Sequence, residues 1–237
     1  MLRDIDLSKI SDGKRYKAND MVKISANGCV GCSQCCRNTV DTIRLDPYDM
    51  YQLEKGLGMT FDQMMAKEMI QLTMIESIVW VTLKKQARNH GCAFLNPEGR
   101  CDIHDFRPGF CRMFPLGRVY EDDDFSYYFQ VHECPYPNKS KVKIKQWLGI
   151  QNLPKYEEYI LIWHDFTKLL SEKLKDMSDE MIKKTNMNMV NLFFVIPYDP
   201  ERDFYEQFDE RVQRLVKDGE NAGADTGEMK ELLAEFS

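Results

Sequence analysis

The run Cys29-Val-Gly-Cys32-Ser-Gln-Cys35-Cys36 constrains this chain more than any other stretch. A short loop carrying four thiols brings several sulfurs toward one point. Soft thiolates gathered at one point select zinc, copper(I) or an iron–sulfur cluster. Gly28 precedes the run and Gly31 lies inside it. Both permit the unusual backbone angles of a tight metal loop. The fold has to be built around this loop and whatever completes its site.

Spacing narrows the chemistry. Cys29-x2-Cys32-x2-Cys35 is the arrangement by which bacterial ferredoxins hold three corners of a 4Fe–4S cluster. In those proteins the next cysteine precedes a proline, and here that dipeptide occurs far downstream as Cys134-Pro135. Cys36 is the extra member. Side chains of adjacent cysteines are expected to diverge, which assigns Cys35 and Cys36 to two neighbouring metals or to two corners of a larger cluster. Cys92, Cys101, Cys111 and Cys134 bring the total to eight. Eight thiols make two four-cysteine sites, or one site with thiols left for other work. Zinc is equally legal by count, since it is held by four cysteines or by three and a histidine. The usual zinc pattern has two C-x2-C knuckles, however. Cys92-x8-Cys101 and Cys101-x9-Cys111 are too wide for the second one. The spacing therefore favours iron–sulfur, of 4Fe–4S type, over zinc.

Other polar residues stand near the cysteines. His90, His104 and His132 can each complete a site or hydrogen-bond a ligand, although a surface histidine is the plainer reading. Arg107 and Arg112 flank Cys111. Guanidinium groups there would offset the negative charge of thiolates, or form ordinary salt bridges. His164, beside Asp165, reads as structural. The acidic Asp122–Asp124 stretch lacks the oxygen spacing of a calcium loop and reads as a solvated turn.

Composition bears on setting and partners. The chain has 237 residues and a formal net charge of −6. Mild acidity argues against a nucleic-acid binder, and no run is long enough to span a membrane. Charges near Met1 occupy the place of a signal peptide's apolar core. The expected setting is cytoplasmic, where cysteines serve metals in preference to disulfides.

Two parts are expected. Residues 1–138 form a cysteine-cluster metal-binding domain, and 139–237 an α-helical region packing on it. The first part reads as a polar lead-in with a short strand at Met21–Ile24, then a strand at 39–45. A helix follows from Asp46-Pro47 to Gly56–Gly58, then a capping-box helix over 61–70. One strand covers 73–83, and a hairpin covers 116–131. In the second part Pro154 opens a long amphipathic helix, Ser178 caps another that ends near Pro197, and a third covers about 202–218. The fold class is α+β: a small mixed core of short strands and loops, followed by helices.

Taken in order, Cys29-x2-Cys32-x2-Cys35-Cys36, Cys92-x8-Cys101-x2-His104-x2-Arg107-Pro108-x2-Cys111-Arg112-x-Phe114-Pro115 and Cys134-Pro135 resemble the CxxCxxCC cysteine-cluster family. That family is described as zinc- or iron-chelating, and its members are often labelled iron–sulfur proteins. The resemblance covers about 29–135 and implies that all eight cysteines belong to the family pattern. Flagellin lysine methylases share the signature, so protein lysine N-methylation is implied by analogy alone. No glycine-rich loop of dinucleotide type accompanies it. Three functions are thus in view: an iron–sulfur protein with a redox or modification-supporting role, a zinc-binding structural or interaction module, and a lysine methylase. The sequence names no substrate and no catalytic residue, and leaves a protein partner open.

Overall fold

The structure, a computed structural model, describes residues 6–25, 32–87, 90–121, 124–136, 139–221, 226–228 and 230. In chain order these form α1 (Leu7–Ile10), β1 (Met21–Ser25), α2 (Gln34–Asn38), α3 (Pro47–Leu57), α4 (Phe61–Ala66), β2 (Ile70–Ile75), β3 (Ile78–Leu83), β4 (Lys85–Gln86) and β5 (Gly91–Cys92). There follow α5 (Gly109–Met113), β6 (Leu116–Glu121), β7 (Asp124–Phe129), β8 (Ser140–Lys143), α6 (Ile144–Leu148), α7 (Leu153–Leu174), α8 (Asp179–Val190) and α9 (Phe204–Asn221). The class is α+β, with antiparallel two-stranded ladders β1–β8, β2–β3, β4–β5 and β6–β7, and a helical C-terminal part.

Local chemistry explains most element ends. Asp46 caps α3 and Asp49 returns the bond in a reciprocal capping box, with Pro47 in the first turn. Gly58 ends α3 in the left-handed region at φ 63°, where glycine carries no Cβ penalty. Thr60 and Gln63 form the capping box of α4. That helix stops before residue 70, earlier than expected, because Glu68 turns left-handed at φ 55° and the Met69 N–H bonds back to the Met64 carbonyl at 3.0 Å.

Two strand expectations need correction. Residues 73–83 are not one strand but part of the β2–β3 hairpin, turning at Glu76 and Ser77 with φ 50° and 65°. Neither is glycine, so the sequence carried no turn signal. A tertiary contact holds the turn instead: buried Asn186 of α8 accepts from Val79 N at 2.7 Å and donates to the Ser77 carbonyl at 2.8 Å. Within 39–45, Val40–Thr42 is a 3-10 turn. Only Ile43–Leu45 runs extended along β3, through Leu45 N to Val81 O and Leu83 N to Ile43 O. The lead-in adds the short α1 to the expected strand at 21–24, observed as β1.

The core is centred on α7. Tyr156, Tyr159, Ile160, Trp163, Phe166 and Leu170 recur at three-to-four spacing and are all buried. Trp163 lies 5.4 Å, between ring centroids, from Phe193, and Tyr159 lies 4.8 Å from Phe208 of α9. Tyr48 of α3 reaches the same group, 5.3 Å from Tyr156 and 5.1 Å from Phe204. The cysteine-bearing part and the helices therefore share apolar packing. Arg211 of α9 closes the end of the α8 segment, donating to the carbonyls of Leu192, Ile196 and Pro197.

Glu54 of α3 faces this closure with one buried carboxylate oxygen lacking a hydrogen-bond partner. Burial pushes its carboxyl up to about 7, against the pull of the Phe61 and Tyr198 N–H groups and Arg211. A folded-state value above the ordinary 4.5 means that the folded chain holds this proton more tightly than the unfolded chain. The contribution to stability is therefore full below the ordinary value and is lost as pH rises through about 7. Glu54→Gln is expected to flatten the fall in denaturation midpoint across that window. An unchanged slope in the variant would refute the assignment.

Candidate metal centre

Three separated segments bring thiols together. Short helix α2 carries Cys35 and Cys36, and its end is fixed by Thr39, whose hydroxyl donates to the Cys35 carbonyl at 2.8 Å. Cys92 ends β5, which packs directly on α2. A Cβ on Gly91 would meet the Cys36 carbonyl at 3.4 Å and Leu95 at 3.1 Å, so a small residue permits that approach. The loop after Cys92 folds back on itself. Leu95 bridges Cys101, and Asp102 N donates to the Phe94 carbonyl at 2.9 Å. The turn at Asn96–Gly99 makes this return possible: Arg100 N donates to Asn96 Oδ1 at 2.8 Å, and Gly99 has φ 74°. Arg107-Pro108 is extended, and Pro108 leads straight into α5, which presents Cys111.

Cys35, Cys36, Cys92, Cys101 and Cys111 lie within electrostatic reach of one another. The Cys35 and Cys36 sulfurs are 4.0 Å apart. This corrects the expectation that adjacent cysteines diverge: both side chains of the short helix turn toward the same interior. The hydrogen bond between the two thiols, helped by the Arg107 charge and opposed by burial, holds Cys35 down at about 6. The same bond, with burial, pushes Cys36 up. Burial likewise raises Cys92 to about 11 and Cys111 well above its ordinary value. Protons on these sulfurs would have to leave when a metal binds.

The other candidates separate. Cys32 and Cys134 are half-buried, with Cys134 in the turn beyond β7 and its carbonyl accepting from Lys139 Nζ at 2.7 Å. Cys29 lies outside the described residues. No three His, Cys, Asp or Glu side chains among the described residues stand at the spacing of ligands around a single ion. His104 is exposed, with Nε2 2.9 Å from Arg107 Nη1. His90 and His132 are exposed too. His164 stacks on Tyr120 at 3.6 Å, and burial lowers it to about 4, the structural role expected of it. The two arginines differ. Arg107 places its charge near Cys35 and Cys101. Arg112 spends its N–H groups on the carbonyls of Arg107, Leu148 and Asp105, so it ties loops together.

Sequence reasoning missed the group that anchors α5. Asp49 is 2% exposed. Its Oδ1 accepts from Gly109 N at 2.8 Å and its Oδ2 from Asp46 N at 3.2 Å. Asp46 Oδ1 in turn accepts from Asp49 N at 2.9 Å and from the Tyr159 hydroxyl at 3.2 Å. Burial and the neighbouring Asp46 push the Asp49 carboxyl well above the usual carboxylate range, with the two N–H groups and Arg118 pulling back. The Asp-Pro-x-Asp spacing announced a helix cap. It did not announce that the second carboxylate also starts the helix bearing Cys111. Gly109 is required here because any Cβ would overlap the Tyr156 hydroxyl.

Asp49→Ala leaves the Gly109 and Asp46 N–H groups unpartnered, at about 1–3 kcal/mol for each buried donor. It is expected to lower both unfolding free energy and bound metal per chain. Asp49→Asn keeps one acceptor but turns an amide N–H toward Asp46 N, so it should fall between. Denaturant titration with metal analysis checks both, and full metal content in destabilised Asp49→Ala would remove Asp49 from the support of the centre.

The CxxCxxCC family model, described as "putative zinc- or iron-chelating domain", matches residues 28–135. No curated protein and no solved structure matches the chain. The match supports metal binding through the clustered cysteines. It ends at the Cys134-Pro135 pair and takes in every cysteine of the chain. Over residues 28–135 the chain is similar to the CxxCxxCC family.

Proposed function

We propose that the cysteine group holds an iron–sulfur cluster, of 4Fe–4S type, in a redox or modification-supporting role. The observation carrying this reading is the C-x2-C-x2-C spacing of Cys29, Cys32 and Cys35, the arrangement that holds three corners of a 4Fe–4S cluster. Five thiols from three chain segments, Cys35 among them, share one electrostatic neighbourhood. The all-sulfur donor set fits iron–sulfur chemistry. Cys35, Cys92, Cys101 and Cys111 would supply ligands, with Cys36 beside Cys35. A bound cluster would supply reversible one-electron transfer. This chain's own contribution is electrostatic and positional. Arg107 sets a fixed positive charge near Cys35 and Cys101, and Asp49 fixes the helix on which Cys111 stands.

One observation favours the second reading, a structural zinc site. At a Zn–S distance of about 2.3 Å, two thiolates on a tetrahedral ion stand about 3.8 Å apart, and the Cys35 and Cys36 sulfurs are separated by 4.0 Å. Anaerobic purification followed by iron, zinc and acid-labile sulfide analysis separates the two. The iron–sulfur reading expects a brown protein with iron and sulfide in equal amounts, bleached by dithionite. It expects Cys92→Ser and Cys111→Ser to lose most of the iron. Stoichiometric zinc without sulfide would establish the zinc site in its place.

A further inference from the structure

The β1–β8 ladder carries a charge arrangement that folding alone does not require. Directly opposite residues of an antiparallel ladder point to the same side, and every second residue along a strand returns to that side. Met21 pairs with Lys143 and Lys23 with Lys141. One side therefore presents a methionine and three lysines. The other presents Val22 opposite Val142, with Ile24, to the core. All four outer residues are exposed, Met21 at 49%. Among the described residues no carboxylate pairs with Lys23, Lys141 or Lys143. Like charges placed directly opposite weaken a ladder. In a chain of net charge −6, three unpaired lysines around an exposed methionine are a local exception in need of a reason.

Their place suggests one. β1 leads into the cysteine run, and β8 follows shortly after Cys134. Directly after β8 comes α6, which is tied to the Cys111 segment: Trp147 Nε1 donates to the Phe114 carbonyl at 3.2 Å, and Arg112 Nη1 to the Leu148 carbonyl at 3.4 Å. The basic face thus stands on the two strands that bracket the thiol-bearing segment.

We propose that this face is a docking surface for an acidic protein, one presenting carboxylates around an exposed apolar side chain. Lysine ammonium groups act as point charges and lack the guanidinium fork that suits phosphate. The face carries no aromatic ring on which a base would stack. The methionine is an adaptable apolar contact and calls for an apolar counterpart, which a polyphosphate does not offer. The face extends only two residues along each strand, about 7 Å, which suits one contact zone of a peptide. Such an interface is steered by charge and sensitive to salt. It holds whichever metal the thiols bind.

The test is fluorescence anisotropy on the full-length, anaerobically purified protein. The probe is a labelled peptide of alternating glutamate and leucine. A glutamine-for-glutamate peptide, a single-stranded DNA oligonucleotide and phosphatidylserine vesicles are the comparisons. The acidic peptide is expected to bind, and to weaken as salt rises. Lys141→Glu places opposite charges across the ladder, so it should weaken binding by about tenfold or more while leaving the melting temperature unchanged or raised. Met21→Ser should cause a smaller loss that persists at high salt. If Lys141→Glu fails to fold, the double change Lys23→Gln with Lys143→Gln carries the same expectation. The proposal is overturned if the acidic peptide does not bind, if the charge variants bind like wild type, if the glutamine peptide binds as tightly, or if DNA or vesicles bind more tightly than the peptide.

Discussion

Two carboxylates at one helix end, Asp49 buried and Asp46 half-buried, set the geometry on which the thiol site depends. Asp46 and Asp49 share a small volume with Tyr159, Gly109 N and the charge of Arg118. Like-charged carboxylates so placed do not both ionise freely. Removing one member of such a buried set leaves the others without compensation, a cost of several kcal/mol where charge is involved. Four chain segments meet there: α3 through the capping box, α7 through Tyr159, α5 through Gly109 and β6 through Arg118. The cap that begins α3 also fixes the start of α5, and so the position of Cys111. This is how the helical C-terminal part, which carries no cysteine, bears on the thiol chemistry.

The thiol group itself is held by local devices of a different kind. Turn chemistry at Asn96–Gly99 returns Cys101 toward Cys92, and the small residue Gly91 lets β5 approach α2. The cysteines are nonetheless far apart in the chain, and closing such long loops costs entropy that grows slowly with length. Metal binding and folding are therefore coupled, since bringing the sulfurs together and deprotonating them are parts of one event. Of the two arginines beside Cys111, one bears on thiolate charge and the other on loop geometry. Identical side chains five positions apart divide the work because only Arg107 stays on the side of Cys35 and Cys101.

Legibility from sequence followed how local each cause is. The caps of α3 and α4, the Pro154 start of α7 and the β6–β7 hairpin could be read because proline, capping side chains and apolar period act within a few residues. The β2–β3 turn could not, since Glu76 and Ser77 adopt positive φ only because Asn186, far along the chain, holds the turn. The same limit applied at the site. The cysteine pattern marked which side chains carry the chemistry, but not that Cys35 and Cys36 point the same way, nor that the five thiols on α2, β5, the loop at Cys101 and α5 form one group. Asp49 was visible as a helix residue, and its bond to Gly109 N is a matter of tertiary packing that no spacing rule contains.

The β1–β8 ladder shows the same distinction from the opposite direction. Its inner side follows the rule that apolar residues alternate toward the core: Val22 and Ile24 are buried. Its outer side breaks the rule that facing charges should be complementary, at Lys23 and Lys141. A violation of local preference that no carboxylate among the described residues compensates points outside the molecule. The buried carboxylates look like a violation of the same kind and are not one. Three backbone N–H groups, a phenol and a guanidinium answer them inside the protein, so their consequence is rigidity around Cys111. Among the described residues no carboxylate answers the lysines, so theirs is an unsatisfied field at the surface, on the strands that bracket the thiol-bearing segment in chain order.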